Sequence, residues 1–227
     1  MRSVNVGPLV ANPAKGNSTA IDKRPVGRPV WVRAPGTAKG RSGLEGDAIG
    51  DKKNHGGDDQ AVYVFAREDL DRWETVLARS LPDGSFGENL TTAGIDPNQA
   101  LIGERWQVGG SLLLQVTSPR IPCRTFAAWM ALEGWARRFT ESGRPGAYLK
   151  VLEPGPVCAG DPITVVGRPD HDVDVTTTFL AFTIKPWLLG DLLAAGDDLP
   201  DEMRATIETS TSTALLGAPR AVPRYAY

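Results

Sequence analysis

Glycine and proline divide this chain into short segments, and this division limits the folds that it can adopt. The 227 residues include 25 Gly and 18 Pro, which are spread along the chain rather than clustered. Proline removes a backbone donor and glycine loosens the backbone, so both residue types tend to end helices and strands. Short segments favour strands, and the sequence therefore predicts a mainly β fold with some helices, of the α+β class.

The segments between these residues are rich in Val, Ile, Leu and aromatic residues, as strands are. Examples are PVWVR, QAVYVF and PITVV. The clearest pair consists of ERWQV and SLLLQV, which flank Gly109 and Gly110. Adjacent glycines adopt the positive φ angles that a two-residue turn needs, so these two segments are predicted to form a hairpin.

Two segments have helical periodicity instead. In residues 67–81 the apolar side chains recur at spacings of three and four, which predicts a helix with one buried face. They are Leu70, Trp73, Leu77 and Leu81. A second helix is predicted over residues 125–141, ending near Gly143 and Pro145.

The character of the sequence changes after Arg168. A polar connector, RPDHDVD, precedes short helical segments that are separated by proline and glycine. The final residues have little periodicity and contain scattered prolines. We therefore expect a β domain at 1–168, a small helical extension at 169–212 and a poorly ordered tail at 213–227.

Charge and hydropathy exclude two classes of function. The net charge of −2 lacks the cationic excess that binding to nucleic-acid phosphates requires, so no nucleic-acid partner is expected. No apolar run approaches the ~20 residues that cross a bilayer, and the first residues lack signal-peptide features. We expect a cytoplasmic protein without membrane association, in which Cys123 and Cys158 are free thiols.

Cys123 lies in SPRIPCRTF, between the second hairpin strand and the second predicted helix. A helix N-terminus and the neighbouring Arg120 and Arg124 would stabilise its thiolate. Nucleophiles and metal ligands both need such a thiolate. An inert buried thiol is the alternative interpretation, and it fits Cys158 better, because that residue has no cationic neighbour in the sequence.

His55 lies in KKNHGGDDQAVY, a loop rich in Gly and Asp directly before a predicted strand. Gly56 and Gly57 leave backbone N–H groups open to a ligand, although an exposed turn histidine is an equal alternative. Cys123 and His55 together would also suit a cysteine hydrolase. The sequence has no C-x-x-C, H-E-x-x-H, P-loop or G-x-G-x-x-G motif to indicate a zinc or nucleotide site.

Seven segments, taken in order, make the chain resemble the MOSC family, which is named for the C-terminal domain of molybdenum cofactor sulfurase. They are STAIDKRPVGRPV, GLEGD, HGGDDQAV, FGENLTT, IGERWQVG, LQVTSPRIPC and AGDPITVV. The helical remainder is similar to the C-terminal extension of the stand-alone bacterial branch, whose members are associated with resistance to 6-N-hydroxylaminopurine. The resemblance implies a β-barrel-like MOSC domain at 1–168 followed by that extension.

The resemblance also implies a molybdenum cofactor, a pterin dithiolene that carries the metal, whereas pyridoxal phosphate is not expected. Cys123 matches the loop cysteine that binds molybdenum in the family. The residues that match its cofactor-contacting positions, or line the same pocket, are Lys23, His55, Gly56, Asp59, Asn89 and Arg120. A lysine and an arginine suit the terminal phosphate of such a cofactor.

Two residues of the HGGDDQ segment depart from the family pattern. Asp58 and Gln60 stand where Pro and a basic residue are more frequent. Asp58 adds negative charge near an anionic cofactor, which puts the detailed role of this loop in question. A solvated surface lysine is the structural alternative for Lys23, and a strand-end turn residue is the alternative for Asn89.

We expect a molybdenum-cofactor-dependent oxidoreductase that reduces small N-hydroxylated compounds, such as purine analogues, with Cys123 on the metal and His55 as proton donor. Two cysteines are too few for an Fe–S cluster, so a separate protein would donate the electrons. The main alternative is a carrier that delivers the cofactor, or a persulfide on Cys123, to other molybdoenzymes. A homodimer is compatible with either activity.

Overall fold

The computed structural model describes residues 1–215 of the chain. In this range the strands are Ser3–Val6 (β1), Val10–Ala11 (β2), Ser18–Thr19 (β3), Arg24–Pro25 (β4), Val30–Val32 (β5), Val62–Ala66 (β6), Leu90–Thr92 (β7), Arg105–Val108 (β8), Leu112–Pro119 (β9), Ala147–Glu153 (β10), Gly155–Val157 (β11) and Ile163–Gly167 (β12). The α-helices are Arg67–Leu77 (α1), Arg124–Met130 (α2), Trp135–Ser142 (α3), Val175–Thr183 (α4) and Asp201–Leu215 (α5). Short 3-10 helices lie at Asp58–Gln60, Pro186–Leu188 and Asp191–Asp198.

One large sheet organises these elements. Its eight strands lie in the order β12-β8-β9-β10-β6-β7-β1-β4, and all neighbours are antiparallel except β6 and β7. Two small sheets pair β11 with β5 and β2 with β3. Within residues 1–215 the outer strands β12 and β4 do not pair with each other. The α+β class is confirmed, and the predicted barrel-like domain is an open sheet rather than a closed barrel.

The predicted hairpin is confirmed. β8 and β9 pair antiparallel, with Val108 opposite Leu112, so the turn has three residues, 109–111, and not the predicted two. Of its two glycines, Gly110 does not have a positive φ, whereas Gly109 has a positive φ of 57°. Only a residue without a side chain adopts this angle at little cost, which explains the glycine here. β9 then continues as the longest strand and leads directly to the segment that carries Cys123.

β6 separates two buried clusters, because side chains along a strand alternate between the faces of the sheet. Val62 and Val64 join an aliphatic cluster, whereas Tyr63 and Phe65 join an aromatic one. Helices α1, α2 and α3 contribute most of the other large rings of the aromatic cluster, and the sheet is therefore covered on the side of these helices. These rings include Trp73, Phe126, Trp135 and Phe139.

Phe139 provides a test of this core. It has no exposed surface and makes ring contacts with Phe86, Phe126 and Trp135. Because Phe139→Ala leaves a cavity, we expect it to lower the free energy of unfolding by about 3–5 kcal/mol in urea titrations. Val76→Ala on the exposed face of α1 should change it by less than about 0.5 kcal/mol, and equally small losses for both variants would contradict this core.

The second predicted helix, over residues 125–141, is wrong as a single element. α2 ends at Met130 and α3 begins at Trp135, because Ala131 and Gly134 have left-handed conformations with φ of 52° and 68°. A left-handed residue ends the helical hydrogen-bond series. Both helices bury side chains in the aromatic cluster, so the apolar spacing continues across the break and conceals it.

The first predicted helix is confirmed but ends at Leu77, before Leu81. Ala78 follows it in a left-handed conformation with a φ of 50°. Leu81 is nevertheless buried, because its backbone N–H donates to the Glu74 carboxylate at 2.7 Å and keeps the next loop against the helix.

The chain beyond residue 168 forms short helices on the same core. Asp174 caps α4 and accepts a hydrogen bond from the backbone N–H of Thr177 at 2.6 Å. Phe179 of α4 joins the aromatic cluster, and Ile207 of α5 joins the aliphatic one. The division into a domain at 1–168 and an extension at 169–212 stays a prediction.

The predicted tail at 213–227 overlaps the last helix. Residues 213–215 belong to α5, and residues 216–227 lie outside the described part of the chain. No helix that the structure describes combines the length and the apolar character needed to span a membrane.

Candidate functional site

Cys123 lies where the chain passes from β9 to α2, as the sequence predicts. β9 ends at Pro119 and α2 begins at Arg124. Cys123 is the capping residue at the N-terminus of α2, and its carbonyl accepts a hydrogen bond from the backbone N–H of Ala127 at 3.0 Å. This placement leaves the thiol partly exposed, beside the positive end of the helix dipole.

The surroundings of Cys123 favour its thiolate form. Burial alone would raise the pKa of this thiol, because a charged group loses solvation inside the protein. A hydrogen bond with the His55 side chain and the positive charge of Arg120 outweigh burial and lower the pKa to about 6. The thiol is therefore mostly ionised at neutral pH, as nucleophiles and soft metal ligands require.

Arg120 is a buried cation with an unused donor. It is 6% exposed, and its guanidinium carbon lies 4.2 Å from the centre of the Phe126 ring and 5.5 Å from that of Tyr63. These cation–π contacts offset part of the desolvation cost. Its Nη1 atom has no hydrogen-bond partner among residues 1–215. Since buried donors are rarely left unpaired, this atom is available to an acceptor group of a ligand.

The loop that carries His55 is held by its own backbone. The His55 N–H donates to the Asp51 carbonyl at 3.1 Å, and the His55 carbonyl accepts from Gly40 at 2.8 Å. Gly56 has a φ of 80°, and a Cβ atom on it would lie 2.5 Å from the carbonyl oxygen of Arg41. Glycine is therefore required at this position for close packing, and the loop directs the imidazole of His55 towards Cys123.

Lys23 and Asn89 meet at Asp47, the last residue of the GLEGD segment, which was not among the predicted site residues. The Lys23 ammonium donates to one Asp47 oxygen, and the Asn89 amide donates to the other at 2.9 Å. Ser42 and the backbone N–H of Gly7 add hydrogen bonds of 2.6 and 3.0 Å to the same carboxylate, which has no exposed surface. Asp47 therefore fixes the side chains of both predicted cofactor-binding residues. It lies between them in sequence, far from each.

Two adjoining cavities expose these residues. A small pocket of about 90 Å³ is lined by five of the predicted cofactor-binding residues together with Cys123. Those five are Lys23, His55, Gly56, Asn89 and Arg120. It adjoins an open cleft of about 1030 Å³, which His55 and Cys123 also line. The structure thus brings together all the predicted site residues except one.

Asp59 is the exception, since it lines the large cleft but not the small pocket. Burial raises the pKa of this carboxyl, and the charges of Lys150 and Lys39 partly offset that effect.

The two residues that depart from the family pattern, Asp58 and Gln60, stabilise the loop through hydrogen bonds to backbone groups. Asp58 accepts from the backbone N–H of Gly36 at 2.8 Å, and Gln60 accepts from that of Gly56 at 3.2 Å.

Several other residues of the small pocket, among them Asn12 and Tyr148, were not predicted from the sequence. Asn12 donates to the Thr125 hydroxyl at 3.1 Å and joins the N-terminal segment to α2. Tyr148, in β10, lines both cavities, and burial raises the pKa of its hydroxyl. No local pattern marks these residues, because their partners lie far away in sequence.

Cys158 lies apart from both cavities. Its thiol donates to the Asp161 carboxylate at 3.4 Å, and this contact raises the pKa of the thiol. Within the part of the chain that the structure describes, no three His, Cys, Asp or Glu side chains form a cluster that could hold a metal ion by themselves.

The two thiols should differ sharply in their reaction with iodoacetamide. We expect the alkylation rate of Cys123 to rise with a midpoint near pH 6, because the thiolate is the reactive form. Replacing His55 with alanine removes a hydrogen bond to the thiolate and should raise this midpoint by about one pH unit or more. Peptide mass spectrometry separates the rates of Cys123 and Cys158, and a wild-type midpoint above pH 8 at Cys123 would contradict the described site.

Comparisons with known proteins agree with this architecture. "Uncharacterized protein YflK" of Bacillus subtilis is 34% identical over 69% of this chain and 67% of its own length. A protein named "Reductase" from Gibberella moniliformis is 30% identical over 67% of this chain, but the match covers 26% of that protein. The crystal structure of YiiM from Geobacillus stearothermophilus is similar with a TM-score of 0.72 and 25% identity, covering 91% of this chain and 96% of that one.

The model of the MOSC domain matches residues 51–164, a range that begins just before the His55 loop and ends in β12. This range contains His55, Asp59, Asn89, Arg120 and Cys123, whereas Lys23 lies before it. The chain belongs to the MOSC domain family.

Proposed function

We propose that this protein binds the molybdenum cofactor with Cys123 as a ligand of the metal, and that it reduces N-hydroxylated compounds such as N-hydroxylated purine analogues. One observation carries the proposal: an ionised thiol, an imidazole and a buried, unpaired guanidinium meet at one pocket. The thiolate is a soft donor that suits molybdenum, and the guanidinium suits an anionic group.

The donor set of the small pocket fits the phosphate end of such a cofactor. Arg120 offers a fork of N–H groups, of which Nη1 has no partner among the described residues. Lys23 adds a second cation, although its charge is already balanced by Asp47. Arg120 is therefore the main candidate for phosphate binding, and Lys23 together with Asn89 supports the shape of the pocket.

The sizes of the cavities also fit. A pocket of about 90 Å³ accommodates a phosphate group or part of a ring but not an entire pterin. The adjoining cleft of about 1030 Å³ has room for the rest of the cofactor and for a substrate. Cys123 and His55 line both spaces, so the metal would lie at their junction.

The chain's own residues would perform three tasks in the reaction. Cys123 would hold the metal as a thiolate, and Arg120 would orient the cofactor through its anionic end. His55 would donate a proton to the departing hydroxyl group, since a histidine exchanges protons near neutral pH. The cofactor, when bound, supplies two-electron redox chemistry at molybdenum. Overall, an N-hydroxyl compound, two electrons and two protons give the amine and water.

The electrons would come from a separate donor protein in the cytoplasm. The chain has two cysteines, and these lie apart, so it cannot hold the usual four-cysteine Fe–S cluster. The fungal relative that is named as a reductase supports the class of reaction, and the match covers 26% of that protein. The substrate is inferred from the resemblance to the stand-alone bacterial MOSC proteins, and the separate donor from the cysteine count.

The experiment is turnover by purified, cofactor-loaded protein with a chemical electron donor and 6-N-hydroxylaminopurine as substrate. We expect stoichiometric formation of the amine. Bound cofactor without turnover would contradict the reductase and favour a carrier, which the partly exposed Cys123 thiolate in an open cleft would also suit. Ester or amide hydrolysis by metal-free protein would instead indicate a cysteine hydrolase.

A further inference from the structure

Helix α5 forms one wall of the large cleft in front of Cys123. Six of its residues line the cleft, and they recur at helical spacing, so they lie on one face. They are Glu202, Met203, Ala205, Thr206, Thr209 and Ser210. The MOSC domain model ends at residue 164, so this wall comes from outside the matched region.

We infer that α5 selects substrates by size, because the four lining side chains from Ala205 to Ser210 are short and leave the space through which bulky ring compounds reach Cys123. The inference rests on the proposed function and adds to it the element of the fold that sets the size limit for substrates. A cleft of about 1030 Å³ is far larger than a small aliphatic hydroxylamine needs. Longer side chains on the same helix face would fill that space.

The helix is fixed in place at more than one point. Ile207, on a neighbouring face, has no exposed surface and packs in the aliphatic cluster. At the start of the helix, Glu202 pairs with Lys39 of the loop after β5 at 3.5 Å, although such an exposed ion pair stabilises by less than about 1 kcal/mol. Burial of Ile207 is therefore the main anchor, and the wall has a defined position relative to the thiol.

The middle of the wall suits contact with a ring rather than recognition of polar groups, whereas Glu202 at its start is charged and pairs with Lys39. The hydroxyls of Thr206 and Thr209 donate to carbonyls one turn earlier, at 2.8 Å each, so these donors are used within the helix. Ala205 has no polar side-chain atom. Ile121, Phe182 and Tyr148 add apolar surface elsewhere in the same cleft. Polar contacts to substrate would therefore come from other parts of the cleft.

Thiol alkylation tests whether α5 controls access to Cys123, and it needs neither bound cofactor nor turnover. Ala205→Trp places an indole on the cleft face, whereas Glu208→Trp places the same group on an exposed position of α5 that does not line the cleft. The two reagents are iodoacetamide, which is small, and a pyrene maleimide, which is a fused-ring compound. Rates at Cys123 and Cys158 are read separately by peptide mass spectrometry, and Cys158 serves as internal reference.

We expect Ala205→Trp to slow the pyrene reagent at Cys123 by about tenfold or more, with iodoacetamide changed by less than about threefold. Glu208→Trp should leave both rates unchanged. Thr209→Trp, one turn along the same face, should repeat the effect of Ala205→Trp, and circular dichroism checks that each variant stays folded. Equal pyrene rates in folded wild-type, Ala205→Trp and Thr209→Trp proteins would overturn the inference. Absence of reductase turnover would instead count against the proposed function and leave this result intact.

Discussion

Replacing Cys123 with serine is expected to abolish reductase turnover, with a loss of at least about a thousandfold in kcat. A serine hydroxyl stays protonated at neutral pH and is a hard, weak ligand for a thiophilic metal. The side chains are similar in size and Cys123 is partly exposed, so the thermal stability of the cofactor-free protein should change little. Molybdenum content and kcat measured on the same preparations test both statements.

Cys158→Ser is the matched control for this variant. Cys158 lines neither cavity, and a serine there can keep the hydrogen bond to Asp161. We expect this variant to keep wild-type molybdenum content and turnover. If Cys123→Ser also keeps wild-type turnover, the metal is not held by this sulfur.

The second large effect is expected from Arg120→Met. Removing the buried guanidinium takes away the main candidate for phosphate binding, so cofactor affinity should fall by about thirtyfold or more. The pKa of Cys123 should rise at the same time, because Arg120 helps to stabilise the thiolate. Cofactor retained through gel filtration and the pH dependence of alkylation measure these two changes.

The stability of the Arg120→Met protein distinguishes a binding role from a structural one. Nη1 of Arg120 lacks a partner in residues 1–215, and interactions of the guanidinium with Cys123 offset its burial, so the charge adds little net stability when no ligand is bound. Methionine can fill the space beside the Phe126 and Tyr63 rings. We therefore expect the cofactor-free protein to be about as stable as wild type. A large loss of stability would show that Arg120 serves the fold instead.

Arg124→Met is the control that separates the specific role of Arg120 from the loss of one positive charge near the site. Arg124 is exposed and lines only the large cleft. Its replacement removes the same charge four residues along the chain, and we expect cofactor retention within about threefold of wild type. Equal losses for both arginine variants would indicate a general effect of positive charge.

Local patterns in the sequence predict the elements that carry the reactive groups. The glycine pair predicts the β8–β9 hairpin. Cys123 lies in the short segment between the end of this hairpin and the start of α2. The Gly-rich segment before β6 likewise marks the loop of His55. These features depend on residues close in sequence, where turn and cap preferences act.

The parts of the site that depend on distant residues could not be predicted in this way. Asp47 joins Lys23 and Asn89, which are 24 and 42 positions away, and no spacing rule relates them. The wall formed by α5 is a similar case, since it depends on how Ile207 packs in the core. The break between α2 and α3 was concealed because both helices bury their apolar faces in one cluster.

The central claim is that the sulfur of Cys123 binds molybdenum, and X-ray absorption at the molybdenum edge tests it most directly. Cofactor-loaded wild-type protein and the Cys123→Ser variant, loaded under the same conditions, would be compared for the number of sulfur neighbours of the metal. We expect one sulfur neighbour fewer in the variant. Identical sulfur shells in the two proteins would contradict it.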